Sequence, residues 1–162
     1  MVCANHSSVV DPIFIALALG RNDQPLFIAK EELFRVPVFS WLIKKLGAIS
    51  VDRSKTDIGP VKTSLQYLKK GVKVVIFPEG ARVAEDDTLD AKRGAIRIAE
   101  RSGAYILPVY IPRKKTVFSR VRIVVGKPYK IEKQKEKRTP EEYDRLSNEM
   151  MKTIQELKEF AI

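Results

Sequence analysis

His6 is the only histidine in the 162 residues, so any catalytic imidazole must be that one. Asp11 follows five residues later, across a turn from a short strand to a helix start, and that spacing lets its carboxylate reach the ring. A carboxylate accepting the Nδ1 proton fixes the tautomer, leaves Nε2 free to take a proton and stabilises the resulting imidazolium. The pair reads as a poised general base, or as a histidine resting beside a helix-capping Asp. A hydrolase would add a protein nucleophile, yet there is no G-x-S-x-G elbow, and Ser7 and Ser8 adjoin His6 too closely for a known nucleophile design. Cys3, on the strand leading to His6, reads as a thiol nucleophile or as a small buried hydrophobe. A base without a protein nucleophile acts on a hydroxyl that the substrate brings, which is the logic of a transferase.

A second cluster, Phe77-Pro78-Glu79-Gly80-Ala81-Arg82, follows the strongest strand pattern. In an open parallel sheet ligands bind beyond the carboxyl ends of the strands, so Glu79 and Arg82 are expected at the rim of the site that holds His6. Arg53 follows a strand in the same way, and so does Lys30. Three cations after three strands suit a phosphate, and arginine can grip two of its oxygens at once.

The elements that must position these residues alternate. Val72–Phe77 and Ile106–Tyr110 read as strands, with Leu26–Ala29, Ile49–Val51 and Arg122–Val125 as further strands, and helical patterns lie between them. That alternation predicts an α/β fold with a mostly parallel sheet flanked by helices. Continuous apolar runs suit strands covered on both faces. Asp11-Pro12 reads as an N-cap with proline in the first turn, opening a helix that Gly20 closes. Pro60 opens another helix with a stripe of Val61, Leu65 and Leu68, and Arg93–Arg101 a third before Gly103. Thr139-Pro140-Glu141-Glu142 is a capping box, and Tyr143, Leu146, Met150, Ile154 and Leu157 behind it form a stripe by which a last helix, about 139–160, packs on a core spanning about 1–131. The strand before His6 has almost no length.

The composition bounds the rest. At 44% hydrophobic and 31% charged the chain suits one domain over residues 1–162. One cysteine and one histidine exclude a disulfide framework and leave little for a zinc site. The net charge of +10 is concentrated: Arg113–Arg138 holds 11 Lys or Arg against Glu132 and Glu136. Such a patch can meet nucleic acid, an anionic membrane surface or an acidic carrier protein, or simply be solvated. No stretch is long and apolar enough to span a bilayer, and no basic-then-apolar leader is present. Leu33–Leu46 gathers Phe34, Val36, Val38, Phe39, Trp41, Leu42 and Ile43 before Lys44-Lys45, which fits an interfacial segment on a membrane or a buried core helix.

Asn5-His6-Ser7-Ser8-Val9-Val10-Asp11 resembles the NHxxxxD motif of the glycerolipid acyltransferases, and Phe77-Pro78-Glu79-Gly80 the FPEG motif of their lysophosphatidic acid acyltransferase branch. Gly47–Arg53 is similar to the arginine-containing block of that family and Ile106–Val109 to its proline-containing block, so four blocks stand in order over about residues 2–112. The resemblance implies a glycerol-3-phosphate acyltransferase-like fold and acyl transfer from acyl-CoA or acyl-carrier protein to the sn-2 hydroxyl of 1-acylglycerol 3-phosphate, giving phosphatidate. It implies His6 as the base, Asp11 as its orienting partner, Arg53 and Arg82 with Lys30 on the acceptor phosphate, and Glu79 and Gly80 shaping the acceptor pocket. It implies no metal or organic cofactor, a lysophospholipid partner, an anionic membrane surface and no nucleic acid, at the cytoplasmic face of the cell membrane. A relative acting on glycerol 3-phosphate or another lysophospholipid, or a non-catalytic basic module for lipid or nucleic acid, are the alternatives. Ala81 and Val83 stand where the family usually has Thr and Ser. Family members commonly carry a hydrophobic segment before the NHxxxxD block, and here nothing precedes Met1: the expectation is either a whole chain touching the membrane through Leu33–Leu46 and the basic patch, or a fragment lacking that segment.

Overall fold

Strand β1 is Val2–Ala4, only three residues long. It lies inside the sheet, bonded to a neighbour on each side, with all three residues almost wholly buried. The structure is a computed structural model and describes residues 1–20, 25–30, 48–51, 58–80, 92–115 and 121–161. After β1 come α1 (Asp11–Leu19), β2 (Leu26–Lys30), β3 (Ala48–Val51), α2 (Ile58–Lys69), β4 (Val74–Ile76), α3 (Gly94–Ser102), β5 (Leu107–Tyr110), β6 (Val124–Val125), α4 (Pro140–Glu156) and a closing 3-10 turn at Leu157–Ala161.

The described strands form one sheet in the order β3-β2-β4-β1-β5-β6. All pairings are parallel except β5 with β6, which is antiparallel. Register places Val2 opposite both Val75 of β4 and Leu107 of β5. The mostly parallel α/β sheet expected from the alternating pattern is the one observed.

Side-chain alternation along β1 divides the core, since successive residues of a strand point to opposite faces. Met1 and Cys3 join Ala95, Ile96 and Ala99 of α3 and Met150 and Ile154 of α4, with Val61, Leu65 and Leu68 of α2 packed against them. Val2 and Ala4 join Ile15 of α1, Phe27, Val75, Val109 and Ile111 on the other face. Burying Met150 and Ile154 contributes roughly 1.5–3 kcal/mol each, enough to hold α4 on the sheet by the stripe its sequence shows. The capping box is formed: Glu142 N donates to Thr139 Oγ1, and Glu142 Oε2 accepts from Thr139 N.

One expectation is corrected. Val10, not Asp11, occupies the N-cap of α1, without a side-chain cap, and Asp11 is the first helical residue. Its carboxylate folds back over the preceding loop, where more donors converge than a helix end offers.

Candidate active site

Because β1 lies between β4 and β5, the segments leaving all three strands meet at one end of the sheet, the place where open α/β folds leave a crevice. Asn5, fully buried, fastens the first to the last: Asn5 Nδ2 donates to Ile111 O at 2.8 Å, and Ile111 N donates to Asn5 Oδ1 at 2.8 Å. The side chain thus extends the β1–β5 ladder by one rung where the main chain of β1 turns away.

His6 Nδ1 lies 3.0 Å from Asp11 Oδ2. Ser7 N and Ser8 N each donate to the same oxygen at 2.7 Å, so the loop wraps the carboxylate. An ionised carboxylate only accepts, which puts the proton on Nδ1 and leaves Nε2 as the basic nitrogen. His6 retains 18% of its side-chain exposure, whereas Asp11 is fully buried. Burial alone would raise the Asp11 carboxyl, but the bonds from His6, Lys115, Ser8 and Ser7 outweigh it and hold it below its ordinary value.

The turn after β4 grips the histidine from the other side. Phe77 stacks on the imidazole with centroids 4.1 Å apart and planes 23° from parallel. Glu79 is buried and accepts from His6 N at 2.7 Å through Oε2, while Arg113 stands 3.7 Å from Oε1. Burial pushes the Glu79 carboxyl above its usual range, against the His6 N–H and Arg113, which pull it down. Glu79 therefore shapes the site by bracing the backbone of His6. Gly80 closes the turn to Phe77 O with φ of +67°, and a Cβ there would meet the Lys92 Cδ and Cε at 2.8 Å, so glycine lets the Lys92 stem lie over the turn.

Cys3 lies in the core with its thiol pushed up to about 12 by burial, which makes it an inert hydrophobe and not a nucleophile. Lys30 ends β2, at the same edge of the sheet as His6 and Glu79. Arg53, Arg82 and the apolar segment Leu33–Leu46 lie outside the described residues.

Two site residues escaped the motif reading. Lys115 Nζ lies 2.7 Å from Asp11 Oδ1 and 3.0 Å from Ser7 Oγ, nearly buried, and Arg113 pairs with Glu79. Both belong to the basic run read as one surface patch. Both also follow β5, as Glu79 follows β4, and that placement was the signal available in the sequence. Arg138 of the same run is buried as well, bonded to Glu100 Oε1 at 2.8 Å and Glu132 O at 2.7 Å. At these three positions the patch is internal scaffolding.

The comparisons agree with the geometry. The family model described as Acyltransferase matches residues 1–112. The 1-acyl-sn-glycerol-3-phosphate acyltransferase of Bacillus subtilis is 32% identical over 133 residues, covering 79% of this chain and 65% of that protein. The one from Streptococcus pneumoniae is 34% identical over 110 residues, 67% of this chain and 40% of the relative. The chloroplastic enzyme of that name from Arabidopsis thaliana is 31% identical over 108 residues, and the chain spans 30% of its length. The crystal structure of the 1-acyl-sn-glycerophosphate (LPA) acyltransferase PlsC from Thermotoga maritima superposes with a TM-score of 0.68 at 29% identity, covering 97% of this chain and 65% of that one. The matched block opens at β1, carries the His6–Asp11 pair and the Phe77–Gly80 turn and closes just beyond β5, and on that footing the chain belongs to the Acyltransferase family.

Proposed function

We propose that the chain transfers a fatty acyl group from a thioester, acyl-CoA or acyl-carrier protein, to the sn-2 hydroxyl of 1-acylglycerol 3-phosphate, forming phosphatidate. The observation that carries the reading is the bond between His6 Nδ1 and the buried Asp11 carboxylate, which leaves Nε2 as a base, beside a thiol that burial has silenced. His6 Nε2 takes the hydroxyl proton as the oxygen attacks the thioester carbonyl. The tetrahedral oxyanion collapses with cleavage of the C–S bond, and the imidazolium returns the proton to the leaving thiolate. Bonds and charges balance over the two substrates, so the reaction as written consumes no metal or organic cofactor and passes through no acyl-enzyme.

In this reading Lys30, Arg53 and Arg82 hold the acceptor phosphate, and Glu79 and Gly80 form the wall of the acceptor pocket next to His6. Residues 1–162 serve as one acyltransferase domain that works against an anionic membrane surface at the cytoplasmic face and has no nucleic-acid partner. No helix among the described residues is long and apolar enough to cross a membrane.

The test is thiol release from acyl-CoA in detergent micelles with and without lysophosphatidate, comparing the wild-type chain with His6→Ala. Release that needs the acceptor, and that falls about 10²–10⁴-fold in the variant with folding intact, supports the reading. Equal turnover in the variant rejects it, as does acceptor-independent release.

A further inference from the structure

We propose that Lys115 is a positioning residue of the general base: its ammonium, seated between Asp11 and Ser7, sets how tightly His6 holds a proton. The inference rests on the reading of His6 and Asp11 as that base, and it adds a residue from outside the motifs.

Asp11 divides its two oxygens. Oδ2 faces His6 and the Ser7 and Ser8 amides, while the buried Oδ1 faces Lys115 Nζ at 2.7 Å. The lysine side chain keeps 8% of its exposure, so its charge acts through little water. A buried carboxylate with no other countercharge would favour the imidazolium and leave the ring already protonated before turnover begins. A base works best when its proton affinity matches the working pH. An ammonium on the far oxygen draws on the same carboxylate and so restrains it.

Among the described residues, the other charged groups that meet this cluster are Glu79 and Arg113. Glu79 approaches from the turn after β4 and contacts His6 N, and Arg113, from the segment after β5, faces the other Glu79 oxygen at 3.7 Å. The ring also stacks on the neutral Phe77, and Ser7 offers Lys115 only its hydroxyl. Asp11 with Lys115 and Glu79 with Arg113 form two opposed pairs, so loss of Lys115 leaves one uncompensated negative charge beside the ring. A lysine that merely held down the segment after β5 would alter stability and leave the protonation of the ring where it was.

His6 is the only histidine in the chain, so its ring carbon-bound proton signal titrates in an NMR spectrum without assignment. In Lys115→Met the titration midpoint should rise by about one pH unit, and Lys115→Arg should restore it. Should Lys115→Met not fold, Lys115→Gln carries the same expectation. Where acyl transfer is measured, the acid limb of kcat/KM should move by the same amount, so that the variant loses about tenfold more rate below the midpoint than above it. An unmoved or lowered midpoint in a folded, charge-removed variant overturns the proposal. A raised midpoint in a chain whose wild type shows no acceptor-dependent thiol release would leave the Lys115 assignment standing and reject the acyl-transfer reading instead.

Discussion

Asn5→Asp changes one NH2 group for an oxygen at a fully enclosed polar contact of the site. Asn5 gives Ile111 O a donor and Ile111 N an acceptor, both at 2.8 Å, with no exposure to water. An ionised Asp would keep the second bond and set a buried charge against the carbonyl oxygen of the first; a protonated Asp would restore both. The carboxyl in the folded chain should therefore lie about 3 units above its ordinary value of about 3.9. A raised folded value means that stability is intact below the unfolded value and lost as pH climbs through the folded one. At about 1.36 kcal/mol per unit, the deficit grows from near zero at pH 4 to about 4 kcal/mol at pH 7, or roughly 8–16 °C in Tm for a chain of this size. Thermal unfolding of wild type and variant across that range measures it, with Asn5→Ala as a control whose loss of about 2–4 kcal/mol does not depend on pH. A deficit in Asn5→Asp that is the same at pH 4 and pH 7 would refute the assignment of Asn5 as a two-way bridge.

Two further outcomes follow from buried charges. Asp11→Asn leaves Lys115 without its carboxylate and should cost about 3 kcal/mol and roughly a thousandfold or more in kcat. The wild-type Asp11 carboxyl is held low, so its contribution is present above the unfolded value and lost as pH falls through the folded one; denaturant titrations should show the gap to the variant closing below about pH 4. Arg138→Met strands Glu100, which among the described residues keeps only the Tyr143 hydroxyl at 2.6 Å, and should lower stability by about 3 kcal/mol. Arg138 touches none of the described residues around His6, so acyl-transfer rates measured well below the unfolding temperature should match wild type.

Local patterns in the sequence announced the sheet class, the capping box, the stripe of α4 and the pairing of His6 with Asp11, because each depends on residues a few positions apart. What escaped depends on topology. Lys115 and Arg113 looked like members of a basic run until β5 was placed beside β1, when the run began at the mouth of the site. Glu79 looked like a pocket wall, and its burial against His6 N could not be foreseen without the register of β4 on β1. Asp11 misled in a different way: Asp before Pro is a strong cap signal, but here a wrapped loop supplied donors that outbid the helix end.

The place of β1 between β4 and β5 also sets the order in which the protein can become itself. His6 meets Glu79 across 73 positions of chain and Asn5 meets Ile111 across 106, so the corner around His6 closes by contacts between distant parts of the chain. Contacts of that span are slow to form because loop closure must come first. On a ribosome, β1 emerges well ahead of both strands that bury it and must wait, paired at most on its β4 side, until β5 and the residues just beyond it have left the exit tunnel. The pocket around His6 is then completed late, when β5 and Ile111 lock onto β1 and Asn5.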